Sequence, residues 1–135
     1  MFADKLIERI IMHKNHTVVG LDPRLEYIPE HILNEAVQCI EGEEKEGKTA
    51  ELAARSFLQF NKELIDNIYD IVPAVKPQIA FYERYGAAGF NCFIETCKYA
   101  KSKGMVVIGD VKRSDIGSTA EAYSEFYLSD SSYSA

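Results

Sequence analysis

The chain has no apolar run approaching the ~20 residues a membrane-spanning helix needs, so a membrane protein is not expected. It has no glycine-rich phosphate loop of the GxxxxGK[ST] form, which removes the P-loop nucleotide binders. It has no excess of positive charge: the 135 residues carry a net charge of −6. A general nucleic-acid binder would show a basic face, so no nucleic-acid partner is expected. An acidic protein can still bind a phosphorylated small molecule through one local group of lysines. Cysteines are few and odd in number (Cys39, Cys92 and Cys97), and their spacing fits neither a zinc site nor a disulfide framework. They read as buried free thiols, with Cys92 and Cys97 on different faces of a helix, which suits a reducing compartment. The start, Met1-Phe2-Ala3-Asp4-Lys5, is charged early and lacks the apolar core of a secretory signal. A soluble, cytoplasmic protein is the expectation.

What is present is an alternation. Phe2, Leu6, Ile7, Ile10 and Ile11 recur at helical spacing and predict an opening helix ending near His13. Thr17 to Leu21 is a short, β-branched run that reads as a buried strand. Residues 24–50 are less regular, and Glu41 to Lys48 is a solvated charge run. Phe57, Phe60, Leu64, Ile65 and Ile68 form the apolar stripe of a second helix. Ile71 to Lys76 predicts a second strand. Phe90, Phe93, Ile94 and Cys97 carry a third helix, whose lysines (Lys98, Lys101, Lys103) gather at its end before Gly104. Met105 to Gly109 predicts a third strand, and Gly117 to Leu128 a fourth helix begun by Ser118 or Thr119. The tail, residues 129–135, is polar and patternless and is expected to fray. Short continuous apolar strands alternating with helices are the mark of a parallel sheet built from right-handed βαβ units.

Three predicted strands end in ionisable residues: Asp22, Lys76 and Asp110. Parallel α/β folds bind ligands at the C-terminal ends of their strands. Three charged ends in succession therefore mark a candidate site; the plainer reading is that each caps the sheet or pairs with a helix. Asp22 and Lys76 each precede a proline, Pro23 and Pro77, which pushes the residue before it into an extended conformation and stiffens the backbone under the side chain. An ordinary strand terminator would look the same. If Asp110-Val111-Lys112 continues the strand, Asp110 and Lys112 face one pocket and Val111 points away. Asp115 would then face the other way, reaching a pocket only if the chain turns, which Ser114 and Gly117 allow, or in another subunit.

These residues carry a resemblance. Asp110-x-Lys112-x-x-Asp115-Ile116 resembles the DxKxxDI signature of orotidine 5′-phosphate decarboxylases, in the form with Lys-Arg-Ser inside the motif. Gly20-Leu21-Asp22-Pro23-Arg24 and Val75-Lys76-Pro77-Gln78 fall where that family has its first two strand ends, and the likeness runs from about residue 3 to residue 128. It implies a (β/α)8 TIM barrel, of which residues 1–128 would be the N-terminal part, about the first three to four βα units. It implies decarboxylation of orotidine 5′-phosphate to uridine 5′-phosphate without cofactor or metal. Asp22 would bind the ribose hydroxyls. Lys76, Asp110, Lys112 and Asp115 would form an alternating charge network, with Lys112 as the acid that protonates C6 of the pyrimidine. Lys76 would also touch substrate. Asp115 and Thr119 would be donated to the neighbouring site of a homodimer.

Such chemistry fits those side chains. Loss of CO2 leaves a carbanion on an sp2 carbon, so fixed electrostatics and a nearby proton must replace a cofactor. Lys112 supplies both, and Asp110 keeps it charged. Asp110 and Asp115 near the departing carboxylate would each repel it by about 4 kcal/mol at ~4 Å and an effective dielectric of ~20, worth roughly three decades of rate if relieved only at the transition state. A complete barrel takes about 250 residues, and no residues here match the family's phosphate-gripping segment or closing loop. An N-terminal piece, poorly active alone, is therefore the expectation. The alternatives are a magnesium-dependent sugar-phosphate decarboxylase or aldolase-type enzyme sharing the motif, and a non-catalytic fragment or scaffold. His13, His16 and His31 stand at no metal-ligand spacing and read as surface or capping residues. Arg24 and Arg113 read as salt-bridge partners, and Tyr82, Tyr85, Tyr123 and Tyr127 as packing residues.

Overall fold

The computed structural model describes residues 1–39 and 48–129. The charge run of residues 41–47 and the tail from Asp130 onward lie outside the described residues. Three strands form one parallel sheet in the order β1-β2-β3: Val18–Leu21, Ala74–Pro77 and Val106–Val107. Gly20 stands beside Lys76 and Val75 beside Val107 in the register. Side chains alternate across a strand, so Leu21, Val75 and Val107 point to one face, where Ile65, Ala100 and Met105 pack on them. Lys76 points to the other.

Helices occupy the connections. Phe2–His13 is α1, Glu30–Gln38 is α2, Lys48–Ile68 is α3, Ala80–Glu83 is α4, Gly86–Ser102 is α5 and Gly117–Leu128 is α6. The chain thus makes three βα units behind α1. The stripe expected on α3 is there: Phe57 and Ile65 are fully buried, and Phe60, Leu64 and Ile68 are half-buried. Phe57 meets Tyr82 and Tyr85 edge-on at 6.5 and 5.4 Å, and Tyr82 meets Phe93 at 5.5 Å. Phe57, Tyr82 and Phe93 are fully buried, and burial of such a ring contributes about 1.5–3 kcal/mol, so they hold α3, α4 and α5 together. A buried polar chain crosses it. Asn61 Nδ2 donates to the Tyr82 hydroxyl (2.9 Å) and to Thr96 Oγ1 (3.1 Å), and the Tyr82 hydroxyl donates to the Leu21 carbonyl (3.2 Å). Helix α1 lies at the opposite end of the strands from Asp22. His13 Nδ1 meets the Asp70 carbonyl at 3.0 Å, and Asn15 Nδ2 donates to the Ile71 carbonyl at 2.9 Å.

Several expectations need correction. Strands β2 and β3 are shorter than their apolar runs, because Ile71 belongs to a turn and the chain leaves the ladder after Val107. Strand β1 is an edge, so Val18 is 40% exposed rather than buried. Residues 30–38, read as irregular, form α2, held by Ile32 and Ala36 in the core. Cys39 is exposed at the end of that helix, while Cys92 and Cys97 are buried in one cluster rather than facing apart. Helix α5 is covered over a wide arc by α3, α4 and β3, which accommodates both positions. Burial pushes both thiols up to about 12. Helix α6 begins after Ile116, with no side-chain cap from Ser118 or Thr119. Among the described residues no helix is long and apolar enough to cross a membrane.

Candidate active site

The C-terminal ends of the strands are tied to one another by the backbone. Gln78 N–H donates to the Leu21 carbonyl (3.4 Å), Asp110 N–H to the Pro77 carbonyl (3.1 Å) and Ile79 N–H to the Asp110 carbonyl (3.2 Å). Asp22, Lys76 and Asp110 are therefore presented side by side. Lys76 Nζ lies 3.8 Å from Asp22 Oδ1 and 3.4 Å from Asp110 Oδ2, and Lys112 Nζ lies 2.5 Å from Asp110 Oδ1. The sequence Asp22–Lys76–Asp110–Lys112 is an unbroken alternation of sign. Lys112 holds the Asp110 carboxyl below the ordinary carboxylate value, first by its hydrogen bond and then by its charge. Partial burial opposes this and Lys76 assists it.

Lys112 reaches Asp110 by a route that strand alternation did not foresee. The strand has ended, and only an isolated bridge between Gln78 and Asp110 continues the pairing. Lys112 instead adopts φ 49°, one of two non-glycine residues with positive φ among those described. The other, Lys14, is a helix C-cap, where that conformation is common. At Lys112 it costs about 1–2 kcal/mol and turns the side chain back toward Asp110.

Gln78 belongs to the site and was not singled out among its residues. Its Nε2 donates to Asp110 Oδ2 at 2.7 Å while its Oε1 accepts from Ala80 N–H at 3.2 Å. The signal available was its position two residues after Lys76 in an extended stretch, on the same side. Asp115 and Thr119 are not brought into the array. Asp115 is exposed and its Oδ1 accepts the Ile116 N–H at 2.8 Å, and Thr119 is exposed on the first turn of α6. Arg24 and Arg113 pair with carboxylates, Glu26 and Glu83. Tyr82 is a fully buried packing residue. Among the described residues no group of three or more His, Cys, Asp and Glu side chains is placed to hold a metal ion.

Successive parallel strands with helices between them and an ionic array at their C-terminal ends define the class: βα units of a (β/α)8 barrel, with the charged residues on its ligand-binding face. The chain belongs to the orotidine 5′-phosphate decarboxylase / HUMPS family, whose model matches residues 18–135. The orotidine 5′-phosphate decarboxylase of Rhodopirellula baltica is 40% identical over 127 residues, 94% of this chain and 39% of that protein. That of Petrotoga mobilis is 39% identical over 128 residues, 95% of this chain and 39% of that one. A putative orotidine 5′-phosphate decarboxylase from Streptomyces avermitilis superposes with a TM-score of 0.67 at 27% identity, over 93% of this chain and 38% of its own. The Plasmodium berghei orotidine 5′-monophosphate decarboxylase superposes at 0.73 over 93% of this chain and 48% of its own; at 23% identity that likeness bears on the fold alone. The chain spans about 39% of the length of the curated relatives it matches.

Proposed function

We propose that this chain supplies the ionic half of an orotidine 5′-phosphate decarboxylase site. Residues 1–128 would be the first βα units of one barrel domain. The observation that carries the reading is the Asp22–Lys76–Asp110–Lys112 alternation at the strand ends, in a chain of this family. In this reading Asp22 accepts hydrogen bonds from the ribose hydroxyls, and Lys76 bridges Asp22 and Asp110 at the sugar side of the substrate. The C6–carboxylate bond breaks, CO2 leaves, and the electron pair stays on C6. The Lys112 ammonium lies against that carbon and transfers its proton to it, solvent then restoring the ammonium. Asp110 holds the Lys112 ammonium in place for that transfer, through the 2.5 Å contact of Nζ with Oδ1. The array does this without a cofactor because the charge it stabilises is local and its donors are already in place.

Asp115 and Thr119 take the role of contributions to a neighbouring subunit's site in a homodimer. Their exposure, and an ionic array in their own chain whose contacts close without them, support that reading. The site is expected to work in the cytoplasm on orotidine 5′-phosphate. Calorimetric titration with 6-hydroxyuridine 5′-monophosphate, an anionic mimic of the carbanion, tests the proposal on the assembled protein. Tight binding that Lys112→Ala weakens strongly is the expected result. Binding indifferent to Lys112, or activity abolished by a chelator, sinks it.

A further inference from the structure

We propose that Arg113, anchored on Glu83, is the positioning residue that sets Lys112 against Asp110. The inference deepens the reading above and rests on it for the purpose given to Lys112. Lys112 is 68% exposed, so packing does not hold it in its left-handed turn. The next side chain does. Arg113 Nη1 donates to the Val111 carbonyl at 2.7 Å, and its Nη2 donates to Glu83 Oε1. Both donors belong to one rigid planar fork, so engaging both fixes the Val111 carbonyl relative to Glu83. That carbonyl belongs to the peptide plane leading into Lys112. Its orientation sets where the Lys112 Cα, and hence the ammonium, begins.

The anchor is firm for reasons that reach into the core. Glu83 ends α4, directly after Tyr82, which is fully buried. The Tyr82 hydroxyl accepts from Asn61 and donates to the Leu21 carbonyl, one residue before Asp22. On the other side the guanidinium lies over the Tyr123 ring of α6, 6.0 Å from its centroid. One continuous path thus runs from the β1 end through α4 and the Glu83–Arg113 pair to the loop that carries Lys112. The same element that steadies Asp22 at one end of the array steadies Lys112 at the other.

Carbon NMR titration of the Asp110 carboxyl in the full chain tests this. Its depressed value reports the contact with Lys112. Glu83→Ala should raise it toward the ordinary carboxylate value, because the clamp is lost. A direct charge effect has the opposite sign, since deleting a neighbouring carboxylate favours ionisation of the remaining one. Glu83→Gln keeps an oxygen to accept from Arg113 and should preserve the depression. Arg113→Lys keeps the charge, loses the fork and should raise the value as Glu83→Ala does. An Asp110 that stays depressed or falls further in Glu83→Ala overturns the proposal, as does one that titrates ordinarily in the parent chain. On the assembled enzyme Glu83→Ala should lower kcat roughly tenfold or more with KM little changed. A chain that shows the titration pattern yet binds no nucleotide would sink the functional reading and leave the clamp standing.

Discussion

In the proposed reaction Lys112 serves as a charge and as a proton donor at once. Lys112→Ala removes both, and kcat for CO2 release should fall by about 10³-fold, within the usual range for loss of a positioned acid. Uridine 5′-phosphate, which lacks the departing carboxylate, should bind the same variant with far less change. Away from the site, Asp66 offers a pH prediction. Its carboxyl is held below 3.8, first by Lys103 (2.5 Å) and then by the Tyr99 hydroxyl (2.8 Å). A depressed carboxyl contributes stability that is complete above its unfolded value and is lost as pH falls through the folded one. Asp66→Asn should therefore lower the urea midpoint slightly at neutral pH, by little because the pair is exposed, and converge on the parent as pH falls below the carboxylate range, which flattens the acid limb. Three of the four residues in the ionic array were legible because charge at the end of an apolar run stands out. Lys112 was also found, but through strand alternation that does not operate there. Gln78 was missed because an amide between a proline and an isoleucine carries no such contrast. No short-range rule encodes the φ of Lys112; the contact proposed to fix it joins Arg113 to Glu83, thirty residues apart.

At the scale of elements, α5 is seated by a glycine. A Cβ at Gly89 would stand 1.9 Å from the Tyr82 carbonyl oxygen and 2.9 Å from its carbon. Both are backbone atoms of α4, so neither can swing aside. Gly89→Ala must then lift α5 from α4, and a loss of about 3 kcal/mol is expected from such overpacking. The same displacement would move Glu83 and, through Arg113, the Lys112 loop. A urea titration measures the first effect and the Asp110 titration the second, and an unchanged midpoint would show that the helices can part freely. The long helices were legible because α3 and α5 repeat their apolar positions over several turns. Helix α2 was not, since nine residues with Asn34, Glu35 and Gln38 on the outside hold too few periods. Helix α4 was not, since it is four residues long and is fixed by tertiary contact with α3 and α5. The strands were overextended for a related reason: Ile71 and Ile108 are apolar, but pairing in the ladder depends on where the neighbouring strand runs.

The whole molecule presents surfaces that three βα units cannot cover by themselves. Strands β1 and β3 are the two edges of the sheet, and a closed barrel has none. On α1, Phe2, Ile7 and Ile11 are each more than half exposed, and no residue of that helix is buried. The array is open on the Lys112 side, where the ammonium is 68% exposed. Carbanion stabilisation of the kind proposed needs donors held in a water-excluded site, because in bulk water a unit charge at 4 Å is worth about 1 kcal/mol against about 4 at an effective dielectric of 20. That difference of about 3 kcal/mol is roughly two decades of rate, even with every ion of the array in place. The purified 135-residue chain should therefore decarboxylate orotidine 5′-phosphate at least about a hundredfold more slowly than a full-length relative assayed beside it, and should self-associate through its open edges as concentration rises. Steady-state turnover together with sedimentation velocity measures both. Robust turnover by a monomer would mean that the array needs no cover. Robust turnover confined to an oligomer would mean that copies of this chain shield one another's Lys112, with Asp115 and Thr119 the residues placed to reach across.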